Sequence, residues 1–396
     1  MLKKSLIDLL FKGFSIVRWN DKLRPIDLIQ IDKHSHKMMI AYCLAKYEEE
    51  EGYEFEWLDI IKGGIYELIR RNVISDIQSP VFKEISKNKE LVKKLNFMIF
   101  KEVENKFTNE EIKQEFKSYM TEDDYIHPHS QKILDAAHIY STYYEFLLVR
   151  NANPEGYKID HIHKELVNEI EKYKDLKGIQ NILNKQKIKN FVDLTGELRY
   201  QVRWGHLPRI PNTSVLGHTM LVACLSYFFT KQIPNVTDRR IYNNFWGGIF
   251  HDLPEVVTRD IIKPVKRSVP GMQEEIKRIE EMLAEQEIFP QLEPEWLDEI
   301  KFFTRDEFTA KINDGEIVDQ SEMNSKYNED KYNPYDGTLL KVADDFAAFL
   351  EAQNSIDYGI KSRELAEATQ AVRRKYAGKV IADVPVYKLF EEYDSK

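Results

Sequence analysis

The feature that most constrains the fold of this chain is a sequence frame that occurs twice. Laid on each other without gaps, segments 63–83 and 247–267 share eight of 21 residues, where about one identity is expected from average residue usage. Two glycines open both segments, and a Pro-Val pair stands near the end of both. Such self-similarity predicts that one structural unit is present in two copies.

Shorter similarities flank the repeated frame on both sides. They occur in the same order in both halves: Arg18-Trp19 with Arg203-Trp204, His36 to Ala41 with His218 to Ala223, and Lys132 to Asp135 with Lys341 to Asp344. His251-Asp252 has no such counterpart, because the gapless frame pairs it with Glu67-Leu68 and leucine cannot bind a metal. We therefore predict a tandem duplication whose first copy is degenerate and packs against the second as a subunit packs in a homodimer.

Apolar residues recur at helical spacing through most of the chain. The run from Met220 to Phe228 and the run from Leu340 to Leu350 are the clearest cases. Alternation typical of strands is rare, and its best example is a hairpin within 308–319, where Asp314-Gly315 would form the turn. The polar stretch 320–337 reads as a loop. The fold class is predicted to be all-α, with two similar helical bundles forming a pseudo-dimer.

The domain boundaries follow from this pattern. Residues 1–160 are assigned to the degenerate helical domain, 161–190 to a helical connector rich in Lys, Glu and Asn, and 191–396 to the catalytic domain with its C-terminal helices. The pseudo-dimer is expected to be intramolecular, and the whole chain to be a monomer or a homodimer.

Composition limits the partners and the compartment. A formal charge of -9 and a pI near 5.7 argue against a broad nucleic-acid interface. The two cysteines, Cys43 and Cys224, lie in apolar helical patterns and indicate a reducing compartment. Asp8 and Lys12 interrupt the apolar N-terminal run, which therefore does not read as a signal peptide. We expect a cytoplasmic protein without a membrane span.

The candidate chemistry centres on His251-Asp252. An imidazole and a carboxylate on consecutive residues can reach one divalent cation if two further ligands arrive from elsewhere, and His218 and Asp344 are the candidates. The metal could be Mn, Co, Fe, Ni, Zn or Mg. Asp345 is the alternative ligand if the register is displaced by one residue.

Other residues near this motif suit the chemistry of a phosphate ester. Glu255, one helical turn after His251, is the candidate acid or base, while Asp252 is both ligand and catalytic residue. Arg203 could bind a phosphate group, and Trp204 could stack on a base or sugar. Asp260 and Lys266 are the remaining candidates for substrate binding.

With these motifs in this order, the segment of about 195–360 resembles the HD-domain phosphohydrolases and is most similar to the bacterial 5'-deoxynucleotidases. The resemblance implies an all-α bundle, His218, His251, Asp252 and Asp344 as metal ligands, and Glu255 as the residue that activates water. It also implies that Arg203, Trp204 and Asp260 hold the phosphate and sugar of a nucleotide. The chain departs from the family at Gly217, where the family usually has Glu, and at Arg259, where it often has Gly.

The function implied is that of a 5'-nucleotidase-like phosphomonoesterase, which removes phosphate from a (deoxy)nucleoside 5'-monophosphate by attack of a metal-activated water. Hydrolysis of a nucleoside triphosphate, a cyclic nucleotide or an alarmone is the alternative within the same chemistry. A nucleotide-sensing or scaffold protein with vestigial hydrolysis is the alternative outside enzymes. In the first copy, His36 and Asp135 retain the residue types of metal ligands, but without the dyad we expect them to be structural.

Overall fold

The computed structural model describes residues 2–75, 79–259, 261 and 269–393, and it confirms the all-α prediction. The helices of the N-terminal part are α1 (Lys4–Phe11), α2 (Gln30–Glu50), α3 (Trp57–Val73), α4 (Ser79–Ile85), α5 (Lys89–Val103), α6 (Glu110–Thr121), α7 (Pro128–Ala152), α8 (Ile159–Glu171), α9 (Lys177–Leu183) and α10 (Lys187–Glu197). Those that follow are α11 (Val215–Thr230), α12 (Asp238–Phe250), α13 (Glu255–Thr258), α14 (Met272–Leu283), α15 (Leu297–Thr304), α16 (Met323–Lys326), α17 (Gly337–Asp357), α18 (Arg363–Tyr376) and α19 (Tyr387–Glu391). Single turns of 3-10 helix occur at Lys12–Phe14, Glu104–Lys106, Leu198–Tyr200, Phe289–Gln291, Pro294–Trp296, Gln320–Glu322 and Asp330–Tyr332, and a π-helical turn at Ala284–Ile288.

Two small antiparallel sheets accompany the helices. The predicted hairpin is present as β3 (Ala310–Ile312) and β4 (Glu316–Ile317), and Gly315 takes the positive φ of 108° that its turn requires. A third strand, β5 (Tyr335–Asp336), pairs with β3. The stretch 320–337 was predicted to be a loop, and this prediction is only partly correct. Its end forms β5, which extends this sheet and leads directly into α17.

The other sheet was not predicted. It consists of β1 (Val17–Arg18) and β2 (Leu28–Ile29), which pair through Val17 with Ile29. A comparable antiparallel bridge joins Val202 to Ser214 in the C-terminal half, at the same separation along the chain. Strands of two residues are too short to show the alternation by which a sequence reveals a strand.

Helices α2 and α11 lie side by side at the centre of the molecule. Every residue of α11 is buried, as expected of a helix that is apolar on all sides. The two helices meet at a 2.9 Å hydrogen bond between the hydroxyls of Ser35 and Thr219. Gly217 allows this approach, because a Cβ there would lie 2.6 Å from Phe14 and 2.7 Å from Asp32.

One hydrophobic core continues through both halves of the chain. Around α2 pack α3, α7 and α9, while α11 packs against α12 and α17. Across the boundary, the Tyr42 ring meets Trp246 and Phe250 with both ring centroids at 5.0 Å. Among the described helices, none combines the length and the apolar character needed to cross a bilayer.

The segment 161–190, predicted to be a helical connector, contributes parts of α8, α9 and α10. These helices pack against the N-terminal bundle, α8 on α7 and both α9 and α10 on α2. The contact between α9 and α2 is close at Gly178, whose position leaves no room for a side chain beside Leu44. The segment is thus integrated into the core.

The N-terminus of α11 allows a test of how much its N-cap contributes to stability. Ser214 is its N-cap: the Ser214 hydroxyl accepts a 2.9 Å hydrogen bond from the Gly217 amide and donates one of 2.5 Å to buried Asp32. We expect Ser214→Ala to lower the free energy of unfolding by about 1–2 kcal/mol, measured by urea denaturation. Thr237 is the matched control, since it is the N-cap of α12 but makes no capping hydrogen bond through its side chain. A Thr237→Ala loss as large as that of Ser214→Ala would contradict this account.

Candidate metal centre

The end of α12 delivers His251 into the interior. Its amide still bonds to the Gly247 carbonyl at 2.9 Å, and its ring Nδ1 lies 2.9 Å from the Gly248 carbonyl oxygen. Because a carbonyl only accepts, Nδ1 carries a proton, so that in the neutral form of the ring the lone pair is on Nε2. That Nε2 is buried and makes no hydrogen bond within the described residues. It lies 3.2 Å from Oδ2 of Asp252.

His218 reaches the same point from α11. Its side chain is fully buried, and its Nε2 lies 3.1 Å from Oδ1 of Asp344 and 3.6 Å from Oδ2 of Asp252. Asp344 comes from α17, so α11, α17 and the residues that directly follow α12 supply the four groups. The structure thus brings together all four residues that the sequence analysis named as metal ligands.

The arrangement fits a divalent cation. One donor atom from each of His218, His251 and Asp252 lies within 4.8 Å of the others, and Asp344 adjoins them through His218. Two imidazole nitrogens and two carboxylates form a mixed nitrogen and oxygen set, which suits several divalent metals and selects none of them. The buried Nε2 of His251, which faces Asp252 without forming a hydrogen bond in the described residues, supports the same interpretation.

The electrostatics of the cluster favour a deprotonated Asp252. Burial alone would raise the pKa of this carboxyl, but electrostatic interactions with the neighbouring His251, His218 and Arg203 side chains outweigh burial and hold the pKa well below its usual range. For His251 the pKa is raised, because the opposing effect of burial is exceeded by the Asp252 charge. The cluster therefore presents an anionic carboxylate at neutral pH, as a metal ligand must.

Glu351 is an important residue that the sequence analysis missed. It is fully buried on α17, and its carboxylate accepts hydrogen bonds from Arg203 Nε at 3.2 Å and from Trp204 Nε1 at 2.7 Å. Its Oε1 also lies 3.6 Å from Nδ1 of His218. A signal was available, because Glu351 follows Asp344 by two helical turns and interrupts an otherwise apolar run.

The positions of Arg203 and Trp204 follow from this carboxylate. The Trp204 indole is engaged with Glu351, and its backbone has a positive φ of 56°. The Arg203 guanidinium bonds to Glu351 through Nε, while its Nη1 lies 3.6 Å from Oδ2 of Asp252. Both residues therefore help to build the centre, and Arg203 in addition lies beside a proposed metal ligand.

The local structure at Glu255 differs from the expectation. Glu255 was expected one turn after His251 on a continuous helix, but α12 ends at Phe250 and residues 251–254 form a turn. Amide hydrogen bonds such as Glu255 to Asp252 at 3.0 Å span three residues rather than four. Glu255 then begins the short helix α13, so His251 and Glu255 do not share a helix face.

Three other candidates can be placed or set aside. Asp345 contacts Lys375 at 2.5 Å and the Tyr376 hydroxyl at 2.9 Å, and these contacts do not support its use as the alternative ligand. Asp260 and Lys266 lie outside the described residues, and their predicted contacts with substrate stay predictions.

Two residues complete one side of the centre. The Phe308 ring lies 6.0 Å from that of His251, and the Lys341 ammonium lies over Phe308 at 4.1 Å. Lys341 also donates a 2.6 Å hydrogen bond to Oδ2 of Asp344, and the Asp344 charge raises the Lys341 pKa against the effect of burial. A second positive charge therefore lies near the ligands, beside that of Arg203.

Comparison with known proteins agrees with this geometry. No curated protein matches the chain. A family model described as HD domain matches residues 195–373, which span α11, α12 and α17 and hold all four proposed ligands. This superfamily consists of metal-dependent phosphohydrolases. The segment 195–373 is therefore similar to the HD domains, the helical domains of that class of hydrolase.

Proposed function

We propose that this chain is a phosphomonoesterase that removes phosphate from a nucleoside 5'-monophosphate. The observation that carries the proposal is the convergence of His218, His251 and Asp252 in an HD domain, with Asp344 3.1 Å from His218. A divalent cation bound there would lower the pKa of a water molecule and offset negative charge on phosphoryl oxygens. The nucleotide class rests on the resemblance to the 5'-deoxynucleotidases.

The protein groups have distinct parts in this reaction. Glu255 accepts the proton of the attacking water, as its position in the His-Asp-x-x-Glu motif suggests. Arg203 holds a phosphate oxygen, a role supported by the closeness of its Nη1 to Asp252. Glu351 positions Arg203 through their ion pair. Asp260 and Lys266 are proposed as contacts to sugar and phosphate from the resemblance alone.

A panel of substrates tests this function. We expect the purified chain, supplied with Mn, Co or Mg, to release inorganic phosphate from nucleoside 5'-monophosphates and to leave 3'-monophosphates largely intact. Release of pyrophosphate from triphosphates, ring opening of a cyclic nucleotide or cleavage of an alarmone would instead identify a phosphohydrolase with that other substrate. A metal-loaded protein that binds nucleotides without turnover on any of these compounds would favour the sensing role.

We also infer that the N-terminal half is a degenerate copy that forms an intramolecular pseudo-dimer with the HD domain. Support comes from contacts that occur in both halves. Arg18 and Trp19 donate hydrogen bonds to the buried carboxylate of Glu145 at 2.9 Å and 3.0 Å, as Arg203 and Trp204 do to Glu351. Trp19 also has a positive φ, of 53°. Two bundles of unrelated origin are not expected to share this unusual arrangement.

These contacts suggest a register that differs from the one read off the sequence. A Cβ on Gly64 would collide with Met38, and one on Gly248 would collide with Ala223. If Met38 corresponds to Ala223, then the counterpart of His218 in the first half is Lys33 and not His36. If Glu145 likewise corresponds to Glu351, then the counterpart of Asp344 in the first half is His138 and not Asp135. His36 itself is structural, since its Nε2 bonds to the Val192 carbonyl at 2.9 Å.

A further inference from the structure

We propose that a cavity in the N-terminal half binds a phosphate monoester. The cavity has a volume of about 330 Å³ and lies among α2, α3, α6 and α7, within the range common for small-molecule sites. Its inner wall includes Lys37, Glu67, Arg70, Arg71, Asp135 and His138. This site is distinct from the metal centre, and the proposal does not depend on the activity proposed above.

Lys37 is the residue that most strongly indicates an anionic ligand. It is only 4% exposed and lines the cavity. Within the part of the chain that the structure describes, its ammonium forms neither a hydrogen bond nor an ion pair with any side chain. Burial lowers its pKa. A buried cation without a direct partner is costly, and an anion entering the cavity would remove that cost.

Two arginines add donors on the neighbouring helix α3. Glu67 fixes them both, accepting from Arg70 Nη1 at 3.2 Å and from Arg71 Nε at 2.6 Å. Their guanidinium groups lie 4.9 Å from the Phe82 ring centre. Nε of Arg70 is buried without a hydrogen-bond partner in the described residues. Guanidinium groups held in this way suit the several acceptor oxygens of a phosphate.

A further lysine, Lys33, lies behind the wall, and burial lowers its pKa well below the usual value. The Lys33 ammonium is 3.1 Å from Nδ1 and 3.0 Å from Nε2 of His138, and Lys33 is almost fully buried. Burial and the charge of Lys33 lower the pKa of His138, so the imidazole is neutral and can accept from the lysine. In the register suggested by the shared contacts, this pair occupies the positions of His218 and Asp344. In that register a lysine and a histidine stand where the second half has two proposed metal ligands.

The carboxylates nearby do not cancel these charges. Glu67 is shared by two arginines, and Asp135 accepts from the Gln131 amide at 2.8 Å while burial raises its pKa. Glu122 and Asp123 lie exposed at the rim. Lys37, Arg70 and Arg71 therefore face two carboxylates at the inner wall, Glu67 and Asp135, which leaves one excess positive charge for an anionic group.

The cavity also contains groups that can bind the organic part of the ligand. Tyr119 and Tyr125 line the cavity, and so do the amides of Asn96 and Gln131. Aromatic faces and amide groups can hold a base or a sugar beside the phosphate. We therefore expect a phosphate monoester to bind more tightly than inorganic phosphate, and an uncharged nucleoside to bind least.

Calorimetry on the full-length, EDTA-treated protein tests this site. Adenosine 5'-monophosphate, inorganic phosphate and adenosine are the three probes. We expect Lys37→Met to weaken binding of the monophosphate by about tenfold or more, since it removes one charge-assisted hydrogen bond. Without ligand, the melting temperature of Lys37→Met should equal or exceed that of the parent, because the unpaired cation is gone, and this shows that the variant is folded.

Lys117 on α6 provides the matched control, because it is an exposed lysine in the same half and outside the cavity. Lys117→Met should bind the monophosphate as the parent does. Unchanged affinity in Lys37→Met, or no binding of either phosphate compound by the parent, would overturn the proposal. Equal weakening by Lys37→Met and Lys117→Met would do so too, since it would indicate a general effect of surface charge.

Discussion

The Asp252→Ala variant is expected to lose bound metal and to lower kcat/KM by about 10³-fold or more. Asp252 lies within reach of both His251 and His218, with its Oδ2 at 3.2 Å and 3.6 Å from their Nε2 atoms. Its removal leaves two imidazoles and one carboxylate, with no group at the centre of the cluster. Metal content by mass spectrometry and phosphate release under saturating Mn measure the two losses.

Glu255→Gln separates loss of metal from loss of catalysis. This substitution keeps the size of the side chain and removes its basicity, so we expect about one equivalent of metal to remain while turnover falls by about 10²-fold to 10³-fold. An Asp252→Ala protein that retained both metal and activity would refute the proposed centre. Loss of metal in Glu255→Gln would instead make Glu255 a ligand.

The sequence predicts the helical class and the hairpin because both leave periodic patterns. α11 and α17 carry apolar residues at helical spacing, and Gly315 marks a turn. Strands β1, β2 and β5 could not be predicted, since two residues carry no period. They form where neighbouring segments leave backbone groups to be paired, which depends on tertiary packing.

The candidate site was predictable to a similar degree. The proposed metal ligands come from distant parts of the sequence: His218, His251-Asp252 and Asp344. They were identified as one set from the order of the motifs and not from periodicity. The turn at 251–254 was missed because helix ends depend on local hydrogen bonds.

Glu351→Gln is expected to weaken metal binding by about 10-fold to 100-fold and to lower the free energy of unfolding by about 3 kcal/mol. The neutral amide cannot balance the Arg203 guanidinium, which is largely buried. Loss of the negative charge 3.6 Å from Nδ1 of His218 also makes that imidazole a poorer ligand. Titration with Co, followed by its absorption, gives the affinity, and urea denaturation of the metal-free protein gives the stability.

Glu145→Gln is the matched control, because it breaks the corresponding contacts in the half without the metal dyad. Glu145 is fully buried, bonds to Arg18 and Trp19, and lies 3.7 Å from Arg199. We therefore expect Glu145→Gln to cost a similar free energy of unfolding, about 3 kcal/mol, and to leave the affinity for Co unchanged. Equal effects of the two substitutions on metal affinity would show that Glu351 acts only through stability. A selective effect of Glu351→Gln would instead establish that the same buried carboxylate supports structure in one half and positions a metal ligand in the other.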